Sequence, residues 1–314
     1  MAARGSRTLG LVGLEVAIVL ENGQLTQVAR AGFGLDPTAE LVPMGSGNIN
    51  RGVRFVAGDT MFVLQELNEI AFRDPDALMG NATAVCDRLA ELNIPTVRFV
   101  RNVEGGWLVD LDGVPWRCYE HIEGDTSPAM VTSEEAQSTA RMFGRYAAAI
   151  ASLELAEHVP GYHDFDLRID SFEGAVANDP LGRVGLAGET IEASVRIVDR
   201  LRLASSYAAW AELPRRNAHN DAKAPNCVVG ADGTRTIIDL DTTMPGTILA
   251  DIGELVRSAT RALDDRRPES IMAQIEAVNR GFLAGFDGEL TDTESAAMLL
   301  AGPLLTAENA VRFL

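Results

Sequence analysis

The sequence predicts an α+β fold, with a strand-rich first third followed by a mostly helical remainder. Three observations predict it. Residues 52–57 and 60–65 are apolar runs flanking Gly58 and Asp59, a turn signal, and residues 95–122 hold further β-branched and aromatic runs broken by glycines. From residue 133 onward, apolar positions recur at helical spacing. One hairpin interrupts the helices: residues 227–230 and 236–240 read as strands around a Gly-Ala-Asp-Gly turn.

The chain has 314 residues, 46% of them apolar, enough for one large or two modest domains with a substantial core. Its net charge of −18 argues against nucleic acid or an anionic membrane as the main partner. Cys86, Cys118 and Cys227 show no CxxC spacing, which fits reduced thiols in a cytoplasmic protein. Residues 9–20 form an apolar run after Arg4 and Arg7. Glu15 interrupts it and it is too short to span a bilayer, so a strand or an extension is expected.

Residues 44–68 read as strand, Gly-rich turn, strand, turn, strand. A Gly-rich hairpin containing Gly47, Asn48, Ile49 and Asn50 can lay backbone N–H groups over phosphates. Residues 75–92 read as a helix started by Asp74 and Pro75, packed on the small sheet. Residues 116–122 form the last strand and run into the linker signal at residues 123–128. Residues 133–156 predict a long helix, with Thr132 and Glu135 as its capping box. Residues 171–213 and 263–314 predict further helices.

The chemistry concentrates in residues 217–257. Asp221 lies in a polar loop, Asn226 enters the first hairpin strand and Asp239 closes the second, so the hairpin brings Asn226 and Asp239 together. An amide oxygen and a carboxylate there suit a hard cation such as Mg²⁺, which also takes phosphate oxygens. Asp221 is then free to orient or deprotonate a hydroxyl, the division of labour of kinase-type phosphoryl transfer. Lys223 is read as neutralising charge on the transferring group, and a solvated loop Lys is the other reading. Asp241 has two readings, a second metal contact or a strand-end cap. His219 and Asp251 are read as structural supports of the loop.

This pattern, His-x-Asp-x-x-x-x-Asn followed by a strand ending in Asp, resembles the aminoglycoside phosphotransferase and choline kinase group of small-molecule kinases. The wording HNDAKAPN, IDLDTTMPG and DIGELVR looks most like the N-acetylhexosamine 1-kinases. The resemblance implies a protein-kinase-like two-lobe fold, with a small antiparallel-sheet lobe and a mostly helical one. It implies an extension at residues 1–30, a nucleotide-binding lobe at 31–122 and a catalytic, substrate-binding lobe at 123–314. It also implies ATP and Mg²⁺ as cofactors and a sugar as acceptor, with an aminoglycoside or choline-like alcohol, or a binding-only role without turnover, as the other readings. Gly47, Asn48, Ile49, Asn50 and Gln65 would hold nucleotide, with adenine against the backbone near Glu120 and Ile122.

The resemblance further implies that His163 and Asp164 bind sugar hydroxyls, although Asp164 also suits a helix cap. Arg312 matches an Arg that contacts substrate, with a surface helix Arg as the other reading. The sequence departs from the pattern at the third strand. Protein kinases carry a phosphate-holding Lys there, but this strand ends in Gln65 and Glu66, leaving Arg51 or Arg54 to substitute.

Overall fold

The computed structural model describes residues 22–44, 49–126, 130, 132–179 and 182–312. The expected fold class is what the chain adopts: an antiparallel sheet region followed by a helical region. Residues 9–20, Gly47 and Asn48 lie outside the described residues.

The small lobe begins with helix α1 (Asn22–Gln27), which widens into a π turn at Val28–Gly32. Strands β1 (Val42–Pro43), β2 (Gly52–Ala57) and β3 (Thr60–Glu66) follow. After helix α2 (Pro75–Glu91) come β4 (Phe99–Val100), β5 (Val109–Leu111) and β6 (Val114–Glu120). The sheet order is β1-β2-β3-β6-β4, with β5 also paired to β6, and every pair is antiparallel.

Strand alternation gives the sheet two faces. Phe55, Phe62, Leu64, Trp116 and Cys118 pack against Leu25, Val28 and Ala29 of the leading helical turn. An apolar sheet face needs a cover, and residues 22–32 supply it. The opposite face carries Val63, Gln65, Arg117 and Tyr119 and looks into the cleft.

Helix α2 starts where Asp74 accepts the N–H of Ala77 at 2.9 Å, with Pro75 in the first turn. It serves both lobes rather than the sheet alone. Leu78 and Met79 join Leu67 and Phe72, while Ala82, Val85, Cys86 and Leu89 belong to the core of the helical lobe. The chain crosses between lobes at Gly124 (φ +147°), pressed against β8 (Cys227–Val229); a Cβ there would lie 2.6 Å from the Val229 carbonyl. Asp125 and Val229 exchange backbone hydrogen bonds at 3.1 and 2.9 Å, fastening the crossing.

The helical lobe comprises α3 (Ser133–Ile150), α4 (Phe165–Asn178), α5 (Gly188–Tyr207), α6 (Ile248–Arg261), α7 (Pro268–Phe286) and α8 (Asp292–Arg312). Thr132 and Glu135 form the reciprocal capping box of α3. The helix ends at Ile150, short of the expected residue 156. The reason is that Asn217 takes the freed carbonyls of Ile150 and Leu153 at 2.9 and 2.7 Å. Helices α3 and α7 approach so closely that a Cβ on Gly285 would lie 2.0 Å from the Arg141 carbonyl. No helix of the described residues is long and apolar enough to cross a membrane.

Candidate active site

Strand β7 (Arg216–Ala218) delivers the chain to the loop at residues 219–226, and β10 (Met244–Gly246) pairs with it. The loop's path is imposed from below. Asp251, in the first turn of α6, accepts the N–H of His219 at 2.9 Å and that of Asn220 at 2.7 Å. Burial pushes its carboxyl up to about 7 against the pull of those two donors. His219 is fully buried against Phe143 and Tyr146. Its Nε2 donates to the Ile238 carbonyl at 3.1 Å and its Nδ1 accepts the N–H of Asp221 at 3.3 Å. Burial holds the ring below the ordinary histidine value, so it is neutral at pH 7.

Asn220 takes a left-handed backbone (φ +62°), which Asn tolerates better than most residues. Its side-chain amide is shared among the carbonyls of Ala218, Thr242 and Met244 at 3.2, 2.9 and 3.1 Å. Gly246 makes room for this, since a Cβ there would fall 2.3 Å from the Asn220 side-chain oxygen.

That turn aims Asp221 into the cleft. Lys223 Nζ and Asn226 Nδ2 both donate to Asp221 Oδ2, at 2.7 and 3.1 Å. Asn226 also donates to the Asp221 carbonyl at 2.9 Å. Among the described residues no donor reaches Oδ1 of Asp221. The hairpin of β8 and β9 (Arg235–Ile237) pairs Cys227 with Ile237, and the N–H of Ile238 donates to the Asn226 carbonyl at 3.0 Å. Asn226 and Asp239 are thereby neighbours at the hairpin's open end.

Asp239 follows β9 with a left-handed backbone (φ +60°) and opens onto the cleft. Poor hydration in the cleft, then the charges of Asp241 and Asp221, push its carboxyl well above the usual carboxylate range; Arg117 and Lys223 offset part of this. No donor among the described residues hydrogen-bonds it. A carboxylate crowded by two others and left without a donor suits a bound cation. No cluster of three or more His, Cys, Asp or Glu side chains among the described residues forms a ready cage. The site fits a cation that takes few protein ligands and completes its shell with water and phosphate, as Mg²⁺ does.

Asp241 is buried, with Oδ1 accepting from Arg117 Nη1 at 2.5 Å and Oδ2 from Asn50 Nδ2 at 2.6 Å. Both oxygens accept from the small lobe, so Asp241 ties the two lobes together where it lines the cavity. Asn50 is drawn into the same contact, and its Oδ1 accepts the N–H of Asn68 at 3.0 Å. Gln65 accepts from Arg117 Nε and Nη2 at 3.0 and 2.7 Å. Of the expected substitute cations, Arg51 pairs with Glu66 at 2.7 Å, and Arg54 lies outside the cavity lining.

Between the lobes lies a cavity of about 620 Å³ whose lining includes Ile49, Asn50, Gln65, Ile122, Asp221 and Asp239. Ile122 faces it but Glu120 does not. The Glu120 side chain pairs with Arg98 at 3.6 Å and its backbone N–H goes to the Arg98 carbonyl.

A second cavity of about 810 Å³ opens on the other side of Asn220, between the start of α4, the end of α5 and β10. Tyr162 lines both cavities. His163 and Asp164 line the larger one, but both are engaged in holding the structure. His163 Nδ1 donates to Glu308 at 2.7 Å and Nε2 to the Asn220 carbonyl at 2.8 Å. Burial would lower its pKa, but the Glu308 carboxylate and the Asn220 carbonyl raise it above the ordinary histidine value. Asp164 caps α4 by accepting the N–H of Leu167 at 3.0 Å. Both nitrogens of His163 are committed, which leaves its ring nothing for a ligand, while Asp164 is exposed in the cavity lining beyond its cap bond. Arg312 is half-buried with its guanidinium 4.6 Å over the Tyr162 ring, so it is no free surface Arg.

Arg117 is the residue that sequence reasoning missed. A single Arg inside the apolar strand at residues 114–120 was its signal, because a buried charge needs a partner.

Residues 40–290 match the model of the phosphotransferase enzyme family. The chain belongs to that family. Among solved structures it is similar to amicoumacin kinase hAmiN in complex with AMP-PNP and Ca²⁺, at TM-score 0.69 and 13% identity, covering 95% of this chain and 86% of that one. A spectinomycin phosphotransferase with ADP and spectinomycin is similar at TM-score 0.58 and 14% identity, covering 90% and 87%. A microcompartment-associated aminopropanol kinase is similar at TM-score 0.57 and 14% identity, covering 91% and 96%. At these identities the likeness is one of fold.

Proposed function

We propose, with that family membership as premise, that the protein transfers the γ-phosphoryl group of ATP to a hydroxyl on a small polar molecule. The observation that carries this is the convergence of Asp221, Asn226 and Asp239 on one wall of the interlobe cavity. Lys223 and Asn226 hold Asp221 Oδ2, which leaves Oδ1 for the acceptor. The acceptor oxygen attacks the γ-phosphorus, its proton passes to Asp221, and the bond to the ADP oxygen breaks. Lys223 lies where charge accumulates on the transferring group. Asp239 and Asn226 would hold Mg²⁺, which when bound neutralises phosphate charge. Most of the rate gain comes from positioning and charge neutralisation, as expected for a loose transition state.

The acceptor has two readings. The wording of the motifs at residues 217–257 supports the anomeric hydroxyl of an N-acetylhexosamine. The charge of the larger cavity favours an alcohol that also carries an amine. Its lining contains Glu157, Asp164, Asp166 and Glu212; Arg215 pairs with Glu157 and Arg202 with Glu173 outside the lining, which leaves Asp164, Asp166 and Glu212 facing the cavity without an arginine partner among the described residues. Phe165 and Trp210 stack at 4.8 Å along the same wall and give either acceptor an apolar face.

A ³¹P NMR panel with Mg-ATP tests this, using N-acetylglucosamine, N-acetylgalactosamine, an aminoglycoside and aminopropanol. Loss of ATP with a new phosphate-ester signal establishes the transfer. Coupling of that signal to an anomeric proton selects the sugar reading. Unchanged ATP with every acceptor would contradict both readings.

A further inference from the structure

We propose that Arg117 is the cation that grips the nucleotide's phosphates in this chain, taking over from β6 the task that a strand lysine performs in protein kinases. The inference rests on the nucleotide reading of the interlobe cavity and names the residue that reading lacks.

Gln65 ends β3 where that lysine would stand, and Arg117 is its direct Cα partner on β6. Directly opposed residues on one face of an antiparallel pair hold their Cβ atoms about 5 Å apart. A long side chain at Arg117 therefore reaches the space that a lysine at residue 65 would reach. The guanidinium occupies that space, with Nε and Nη2 on Gln65 Oε1 and Nη1 on Asp241 Oδ1.

Charge points the same way. A triphosphate is strongly anionic and the cavity already contains Asp221, Asp239 and Asp241. Among the described residues the permanent cations lining it are Arg117 and Lys223. Lys223 is tied to Asp221 at the transfer end. Arg117 is what remains beneath the sheet, where the phosphates must pass between Ile122 and Asp221.

The two partners of Arg117 are unequal. Asp241 is a buried carboxylate, while Gln65 offers only a neutral amide oxygen. Both bonds are charge-assisted from the guanidinium side, but a phosphate oxygen adds the opposite charge that Gln65 lacks, and a planar guanidinium matches two phosphate oxygens at once. A phosphate displaces Gln65 and leaves the Asp241 pair intact. Arg117 then holds phosphate on one edge and braces the segment carrying Asp239 with the other.

Calorimetric titration of adenosine, Mg-ADP and Mg-ATP into the full chain tests this. Removing a buried Arg alone strands Asp241, so the main variant is the double Arg117→Gln/Asp241→Asn, which removes both charges together. Arg117→Lys, keeping charge but losing the fork, is the second. The expected result is unchanged adenosine affinity in both. Mg-ADP and Mg-ATP should weaken about 10- to 100-fold in the double variant and less in Arg117→Lys. Mg-ATP affinity within threefold of wild type in the double variant overturns the proposal. So does equal loss of adenosine and Mg-ATP, which marks a merely structural pair. Failure of the wild type to bind any of the three overturns the nucleotide reading itself, and the proposal with it.

Discussion

The two walls of the interlobe cavity are built on different principles. The helical-lobe wall is a loop fixed largely by its backbone. Asp251 takes two of its N–H groups, Thr242 takes the His219 carbonyl at 2.7 Å, and His163 takes the Asn220 carbonyl. The polar groups of the sheet wall are fixed largely by other side chains, through the chain Asn50, Asp241, Arg117 and Gln65. Proton acceptance needs sub-ångström placement of one oxygen, and backbone hydrogen bonds to buried groups give it. Phosphate binding needs charge at the right depth, and one long side chain supplies that. The difference assigns placement to the first wall and charge to the second.

The largest way to break this contrast is at its backbone anchor. Asp251→Ala leaves two buried N–H groups without an acceptor, at about 1–3 kcal/mol each. A loss of about 3–5 kcal/mol in urea unfolding is expected, together with turnover. A loss under 1 kcal/mol would show that the loop holds itself.

His163 offers a gentler break. Its imidazolium faces Glu308 of α8, with Glu254 of α6, Arg168 of α4 and Asp251 close by. Its folded pKa lies above the ordinary value, so the doubly bonded ring is fully present at low pH. One of its two bonds is lost as pH rises through the folded pKa. Turnover in the wild type should therefore fall on the alkaline side. His163→Gln should remove that limb and lower kcat about tenfold while leaving the KM for ATP unchanged. An unaltered pH profile would detach His163 from the loop.

Asp239 sharpens the contrast with the smallest effect. Its carboxylate is held at a cost in the free protein, so Asp239→Asn should raise the Tm of the ligand-free chain by about 2 °C, at most about 1 kcal/mol for so exposed a group. Activity should vanish in the same variant. A lower Tm would mean that the carboxylate stabilises the free fold.

The same contrast explains what the sequence discloses. Asp221, Asn226 and Asp239 sit within one loop and hairpin, so spacing alone places them side by side. The supporting roles of His219 and Asp251 come from the family resemblance, since nothing in the local sequence shows that the loop is buried. Arg117 and Asp241 meet across 124 positions, and His163 and Glu308 across 145. No local pattern encodes such meetings, so His163 reads as a ligand for sugar and Asp241 as one for metal. The fold class was legible because strand alternation, helical spacing and the capping box at Thr132 are local. The end of α3 was not, because Asn217 truncates it from 67 residues away.

The most direct test of the account is single-turnover phosphoryl transfer by Asp221→Asn, with Mg-ATP affinity measured alongside. Asparagine keeps the shape but cannot take the acceptor's proton. The account predicts a rate loss of about 10³-fold with Mg-ATP affinity within threefold of wild type. A rate within tenfold of wild type, or an equal loss of Mg-ATP binding, would contradict it.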